Sequence, residues 1–174
     1  MKEQEHFHRF GQELISFAES MERIGKTFST KVLENKRLES IGNFEKLYLP
    51  FKDKHKSNLM LLQRVRYIDS EPVILIENLI NKSICPGIEN VDFEKETLFQ
   101  VIERLSNESI KFGVRDFNAV SIDNKMSEIL DISYGKPILH LHQTTYLSHR
   151  VPVESSNIWI KSNKYPVTSY LHRN

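Results

Sequence analysis

Arg64 and Arg66 flank a single valine within residues 59–68, a stretch that otherwise reads as a mostly apolar strand. Successive strand side chains alternate faces, so both guanidinium groups point the same way, while Leu62, Val65 and Tyr67 supply apolar cover. Like charges side by side repel, so such a face is either wet or holds an anion. The planar fork of arginine suits carboxylate and phosphate bidentately. Two further features share that electrostatic sign. Ser16-Phe17-Ala18-Glu19 and Thr97-Leu98-Phe99-Gln100 have the spacing of capping boxes, and helix starts present unpaired N–H groups and the positive end of the dipole. The competing reading is that each arginine pairs with a surface carboxylate and each cap merely caps. Only the fold can decide whether these features converge.

Other chemistry finds little support. The six glycines are isolated from one another, which excludes a recognisable Walker loop or dinucleotide fingerprint. No nucleophile elbow or His-Glu-x-x-His occurs. Cys85, followed by Pro86 and Gly87, reads as a small packing residue rather than a thiol nucleophile. His140 and His142 share a strand face and His6 and His8 lie close in sequence, but two histidines without a third ligand do not make a metal site. They read as half-exposed strand or tail positions, and no metal or cofactor is expected. The run Lys52-Asp53-Lys54-His55-Lys56 reads as a solvated loop.

Composition sets the class. The chain has 174 residues, 39% hydrophobic and 27% charged, which suits one globular domain. Its 24 basic and 23 acidic residues leave a net charge of +1, without the excess that nucleic-acid binding usually leaves. One cysteine excludes an internal disulfide and fits a reducing compartment, and the charged start Met1-Lys2-Glu3-Gln4-Glu5 is unlike a signal peptide. The longest apolar run, residues 73–80, is broken by Glu77 and Asn78 and is too short to span a bilayer. A cytoplasmic protein with no membrane contact is expected.

The elements follow from periodicity. A short helix opens at Ser16 and closes at Ile24-Gly25; residues 29–38 alternate as a strand, and a short helical piece covers 43–48. Residues 59–68 and 73–80 flank the turn Asp69-Ser70-Glu71-Pro72 and read as a hairpin. Leu98, Val101, Ile102 and Leu105 fall at i, i+3, i+4 and i+7, an apolar stripe that must pack on a sheet. Residues 111–122 read as a strand, Asp123 caps a short helix with Met126, Ile129 and Leu130, and residues 137–147 and 151–160 form a second hairpin about Ser148-His149-Arg150. Hairpins with helices between them argue an α+β domain, an antiparallel sheet with helices packed on it.

Read together, Ser16-Phe17-Ala18-Glu19-Ser20-Met21, Gly25, Ser29-Thr30-Lys31-Val32-Leu33 and the stretch from Arg64 to Val73 resemble the UTRA effector-binding domain of HutC-type GntR transcription regulators. Cys85-Pro86-Gly87-Ile88 resembles that family's segment after the first hairpin, and Thr97-Leu98-Phe99 its Ser-Leu-Tyr helix start. Ile129-Leu130-Asp131-Ile132 with Gly135-Lys136-Pro137-Ile138-Leu139 is similar to its helix-to-strand junction. Val151-Pro152-Val153-Glu154-Ser155-Ser156 resembles its Pro-Val-Glu-Ser strand, and residues 161–165 its closing Arg-x-Asp-Arg-Tyr stretch. The likeness covers residues 16–173, with 16–174 as the effector domain and 1–15 as a linker or arm.

The resemblance implies a chorismate lyase-like fold, a central antiparallel sheet with flanking helices. It implies a small anionic metabolite as partner, a sugar phosphate or an organic acid, whose binding changes how a winged-helix domain meets its operator. The anion would sit at Ser16 and Phe17, held by Arg64 and Thr97. Arg66 and Glu154 would bind the ligand's polar body, and Phe99 and Tyr165 would form walls. Three positions depart from the family. Ile76 stands where sugar-phosphate binders carry a glutamate, with Glu77 expected on the opposite face; Phe99 replaces a tyrosine and Lys161 an arginine. An amino-sugar phosphate is thereby disfavoured against a neutral-bodied sugar phosphate or an organic acid. No winged helix fits before Ser16, so DNA contact is expected only through a domain outside this chain, which reads as a piece of a longer product, with a free-standing sensor as the alternative. A homodimer is expected. The alternative implied by the fold is an enzyme of the chorismate lyase type acting on a small aromatic or organic acid.

Overall fold

Asp69 and Ser70 both adopt positive φ, 50° and 65°, the left-handed pair that closes a two-residue hairpin and matches the twist of its strands. A left-handed pair recurs at His149 and Arg150, with φ of 55° and 58°, within the longer loop between Tyr146 and Pro152. Around these turns the computed structural model, which describes Leu14, Phe17, Glu19, Met21, residues 25–163, Tyr165 and Val167, builds a strand–helix–hairpin unit twice. The first unit is β1 (Ser29–Arg37), α1 (Glu45–Tyr48), β2 (Leu59–Ile68) and β3 (Glu71–Asn81). After the crossover helix α2 (Leu98–Ser106) come β4 (Phe112–Ser121), α3 (Asn124–Leu130), β5 (Pro137–Tyr146) and β6 (Pro152–Ile160). The sheet order is β1-β2-β3-β6-β5-β4, antiparallel at every junction. Each unit is thus a three-stranded meander, and β3 with β6 forms the seam between them.

The expected α+β architecture is present, a six-stranded antiparallel sheet with helices on both faces. On one face α2 buries Leu98, Val101 and Ile102 against Met60, Leu62, Ile80 and Phe93. On the other, α1 and the turn after it seat Leu47 and Phe51 on Leu61 and Leu79, while α3 seats Leu130 on Val65 and Leu75. The alternation of β3 explains this division, since Ile74, Ile76, Asn78 and Ile80 face α2 and Leu75, Glu77 and Leu79 face away. The register of the first hairpin slips between Arg66 and Tyr67, a bulge of the kind that re-aims its neighbouring side chains.

Local chemistry sets the helix ends. Asp123 accepts from the Met126 amide at 2.7 Å, the expected cap of α3. The capping box expected at Thr97 does not form. Thr97 is the extended residue before α2, but its side chain makes no capping bond; its hydroxyl is buried elsewhere. The first expected capping box includes Ser16, which lies outside the described residues, although Phe17, Glu19 and Met21 have helical backbone. Among the described residues no helix is long and apolar enough to cross a membrane.

Candidate functional site

The α2 face of the sheet carries a polar row that crosses four strands. Asn78 on β3 lies opposite Ser156 on β6, Ser156 lies opposite Gln143 on β5, and Gln143 lies opposite Arg115 on β4. Above this row is a cleft of about 70 Å³ lined by Arg64, Arg66, Thr97, Phe99, Glu154 and Phe17, with Ile76 and Ile158 in its floor. Six of the eight residues expected at the site therefore meet at one place. Ser16 lies outside the described residues. Tyr165 does not line the cleft; it packs against the cluster of Met21, Ile68 and Val73, with the Lys26 ammonium 5.4 Å from its ring centre.

The surface ion-pair reading of the two arginines does not hold, because both are buried, Arg64 at 2% and Arg66 at 4% exposure. Arg64 donates from Nη2 to Asn78 Oδ1 at 2.8 Å, and its guanidinium carbon lies 5.7 Å from the Phe93 ring centre. Its Nε and Nη1 are buried without an acceptor. Arg66 donates to Thr30 Oγ1 at 3.0 Å and lies over the Phe28 ring at 4.6 Å. Phe28 in turn meets Phe17 edge-on at 6.1 Å, so the N-terminal helical residues reach the cleft through an aromatic contact. Thr97 Oγ1, freed from capping, is also buried without a partner. Unmade hydrogen bonds on buried donors are costly, and a cluster of them asks for an acceptor.

Glu154 is the cleft's carboxylate and is 1% exposed. Its Oε1 accepts from Asn78 Nδ2 at 2.6 Å and its Oε2 from Thr145 Oγ1 at 2.7 Å. Burial raises its pKa, against the hydrogen bonds from Thr145, Ser156 and Asn78 and the attraction of Arg64. Burial likewise disfavours the charge on Arg64, as does the neighbouring Arg66, while Glu154 favours it. At the far end Arg115 donates from Nε to Gln143 Oε1 at 2.7 Å and from Nη2 to the same oxygen. Gln143 donates onward to Thr145 Oγ1 at 3.0 Å. Among the described residues that line the cleft, Arg64, Arg66 and Arg115 are the guanidiniums and Glu154 is the carboxylate.

Ile76 lines the cleft, and Glu77 lies on the other face, where it accepts from Gln63, as alternation implies. Arg115, Gln143, Asn78 and Ser156 escaped sequence reasoning. Alternation offered a signal for two of them: Ser156 shares a face with Glu154, and Asn78 is the one polar residue in the series Ile74, Ile76, Asn78, Ile80. Nothing local distinguishes Arg115 from a solvated charge on an edge strand. His140 bonds Asn157 at 3.0 Å and stacks on Trp159, while His142 is buried rather than half-exposed. Among the described residues no three potential metal ligands gather. Cys85 is fully buried, and burial pushes its thiol up to about 11.

A cationic cleft with unfilled donors on a twisted antiparallel sheet defines a small-ligand-binding domain. The UTRA domain family matches residues 23–166, and the chain belongs to that family, the effector-binding domains of GntR/HutC-type transcription regulators. It is 34% identical to a putative regulator from Escherichia coli CFT073, covering 80% of this chain and 100% of that one with a TM-score of 0.69. The effector domain of PhnF from Mycobacterium smegmatis shares the fold, with 16% identity, coverage of 94% and 98%, and a TM-score of 0.82. Among curated proteins, a probable fructoselysine utilization operon transcriptional repressor of Escherichia coli K12 is 22% identical over 144 residues, 83% of this chain. The chain spans 58% of that relative's length.

Proposed function

We propose that the cleft senses a small anionic metabolite, a sugar phosphate or an organic acid, and that its occupancy modulates operator binding by a winged-helix domain of the full regulator. The carrying observation is the convergence of buried, unpartnered donors, Nε and Nη1 of Arg64 with Oγ1 of Thr97, on one cleft. A phosphate or carboxylate would supply their missing acceptors with charge-assisted bonds. Arg66 would add fixed positive charge, and Phe17 and Phe99 would close over the ligand. Because ligand sites usually enclose about 300–1,000 Å³, entry requires those aromatic side chains to swing aside. Catalysis is the weaker reading, since Glu154, the carboxylate among the described cleft residues, has both oxygens engaged by Asn78 and Thr145 and is poorly placed as a general acid or base.

A thermal-shift screen of sugar phosphates and organic acids tests this. Ligand at a hundredfold excess over its dissociation constant stabilises by about 2.7 kcal/mol, which for a chain of this size is a rise of roughly 5–10 °C in Tm. Binding without turnover, lost in Arg64→Gln, supports the sensor; a hit that is chemically converted, or no hit at all, sinks it.

A further inference from the structure

The geometry points to a ligand with two separated anionic groups, the second read by Arg115 with Gln143; this rests on the anion-sensing reading of the same cleft. Arg115 presents its Nε–Nη2 edge to Gln143 Oε1. That is the edge by which a guanidinium grips a carboxylate or phosphate through two parallel bonds. Here a single amide oxygen takes both donors, so an oxyanion offering two oxygens is the better partner. Gln143 is held for its task by Thr145 at 3.0 Å. Thr145 in turn is anchored on Glu154 at 2.7 Å.

The spacing supports one ligand bridging both ends. Arg64 reaches from β2 over β3, where it bonds Asn78, and Arg115 reaches from β4 over β5, where it bonds Gln143. Only β6 lies between those two strands. At about 4.8 Å per strand the two guanidiniums stand roughly 10 Å apart, a gap that two anionic groups joined by a short carbon body would fill. The intervening floor has the matching character, with Ser156, whose side chain bonds Glu154, as its polar part and Ile76 and Ile158 as an apolar step. Charge agrees as well, since Arg115, half-buried on β4, has Glu154 as its favourable charge, and Arg64 draws on the same carboxylate.

The test is calorimetric titration of matched pairs: glycerol 3-phosphate against 3-phosphoglycerate, glucose 6-phosphate against 6-phosphogluconate, and butyrate against glutarate. The two-ended member of at least one pair should bind tenfold or more tightly than its partner. Arg115→Gln should erase that preference, costing the two-ended member at least tenfold more affinity than the one-ended member, and Arg64→Gln should lose both. Single-ended compounds binding as well as their partners, with Arg64→Gln still abolishing binding, would overturn the second anion site and leave the sensor standing. Equal loss of both members in Arg115→Gln would overturn it too. A chain that binds no member of the panel at millimolar concentration fails both readings.

Discussion

The Arg64 guanidinium and the Glu154 carboxylate are joined through one amide: Asn78 accepts from Arg64 at 2.8 Å and donates to Glu154 at 2.6 Å. Opposite charges buried together would ordinarily pair directly. Interposing Asn78 leaves Arg64 near its counter-charge while two of its nitrogens remain unclaimed. The carboxylate therefore aims the arginine rather than neutralising it.

Asn78 should accordingly matter to affinity without touching the anion's charge. Asn78→Leu leaves Arg64 Nη2 and Glu154 Oε1 without their partner, and a buried unsatisfied polar group costs about 1–3 kcal/mol. We expect a loss of that size in chemical denaturation, together with weaker anion binding in titration. Unchanged affinity would mean that Arg64 holds its pose unaided.

Stability should depend on pH through Glu154. Its carboxyl is raised in the folded state, chiefly by burial, so at pH between the ordinary and the raised value the native protein retains a proton that the unfolded chain has released. Stability from this group is complete below the ordinary glutamate range and falls as pH rises through the raised value, by at most about 1.4 kcal/mol per pH unit. Glu154→Gln should flatten that decline in denaturation curves recorded upward from the ordinary glutamate range. Glu77, also raised mainly by burial, leaves a residual slope of the same sign.

Phe93 supports the site from below. It is 1% exposed, belongs to the α2-face core and lies beneath Arg64. Phe93→Ala should destabilise by about 3–5 kcal/mol, read from urea unfolding. Phe93→Leu should recover most of that loss and isolate any effect on anion binding from loss of the ring.

Gly113 reports on the N-terminal segment. A Cβ built there comes within 2.8 Å of Leu14 Cδ1, so Gly113→Ala must push Leu14 off β4. The displaced atoms end a flexible side chain, and the cost should fall at or below the lower end of the roughly 1–3 kcal/mol typical of overpacking. Amide hydrogen exchange should quicken at Phe17, Glu19 and Met21 while β5 and β6 keep their protection. Equal protection throughout would mean that Leu14 contributes nothing to the segment's seating.

Cys85 should be inert. Buried, with its thiol raised to about 11, it presents almost no thiolate at pH 8. Alkylation by iodoacetamide should proceed only as fast as the domain opens, and rapid modification of the native protein would contradict its burial.

Much of this architecture was legible because its signals are local. Alternation in residues 59–68, the two polar turns and the apolar stripe of residues 98–105 each record a period that one element alone determines. The site was legible only where alternation or family likeness singled out a residue, as with Arg64 and Glu154. Thr97 shows the limit: its capping sequence is satisfactory, yet in the fold its side chain makes no capping bond and its hydroxyl is buried without a partner. Arg115 shows another, since its role depends on a β4–β5 register that no short window of sequence specifies.

The β3–β6 seam has a mechanical consequence. Arg64 and Asn78 belong to one meander, Arg115, Gln143, Glu154 and Ser156 to the other, and Thr97 to the crossover between them. A molecule gripped by all three parts would act as a brace across a joint, resisting shear of one half of the sheet against the other. Occupancy would then be felt as rigidity along the whole domain, from β1 at one edge to β4 at the other.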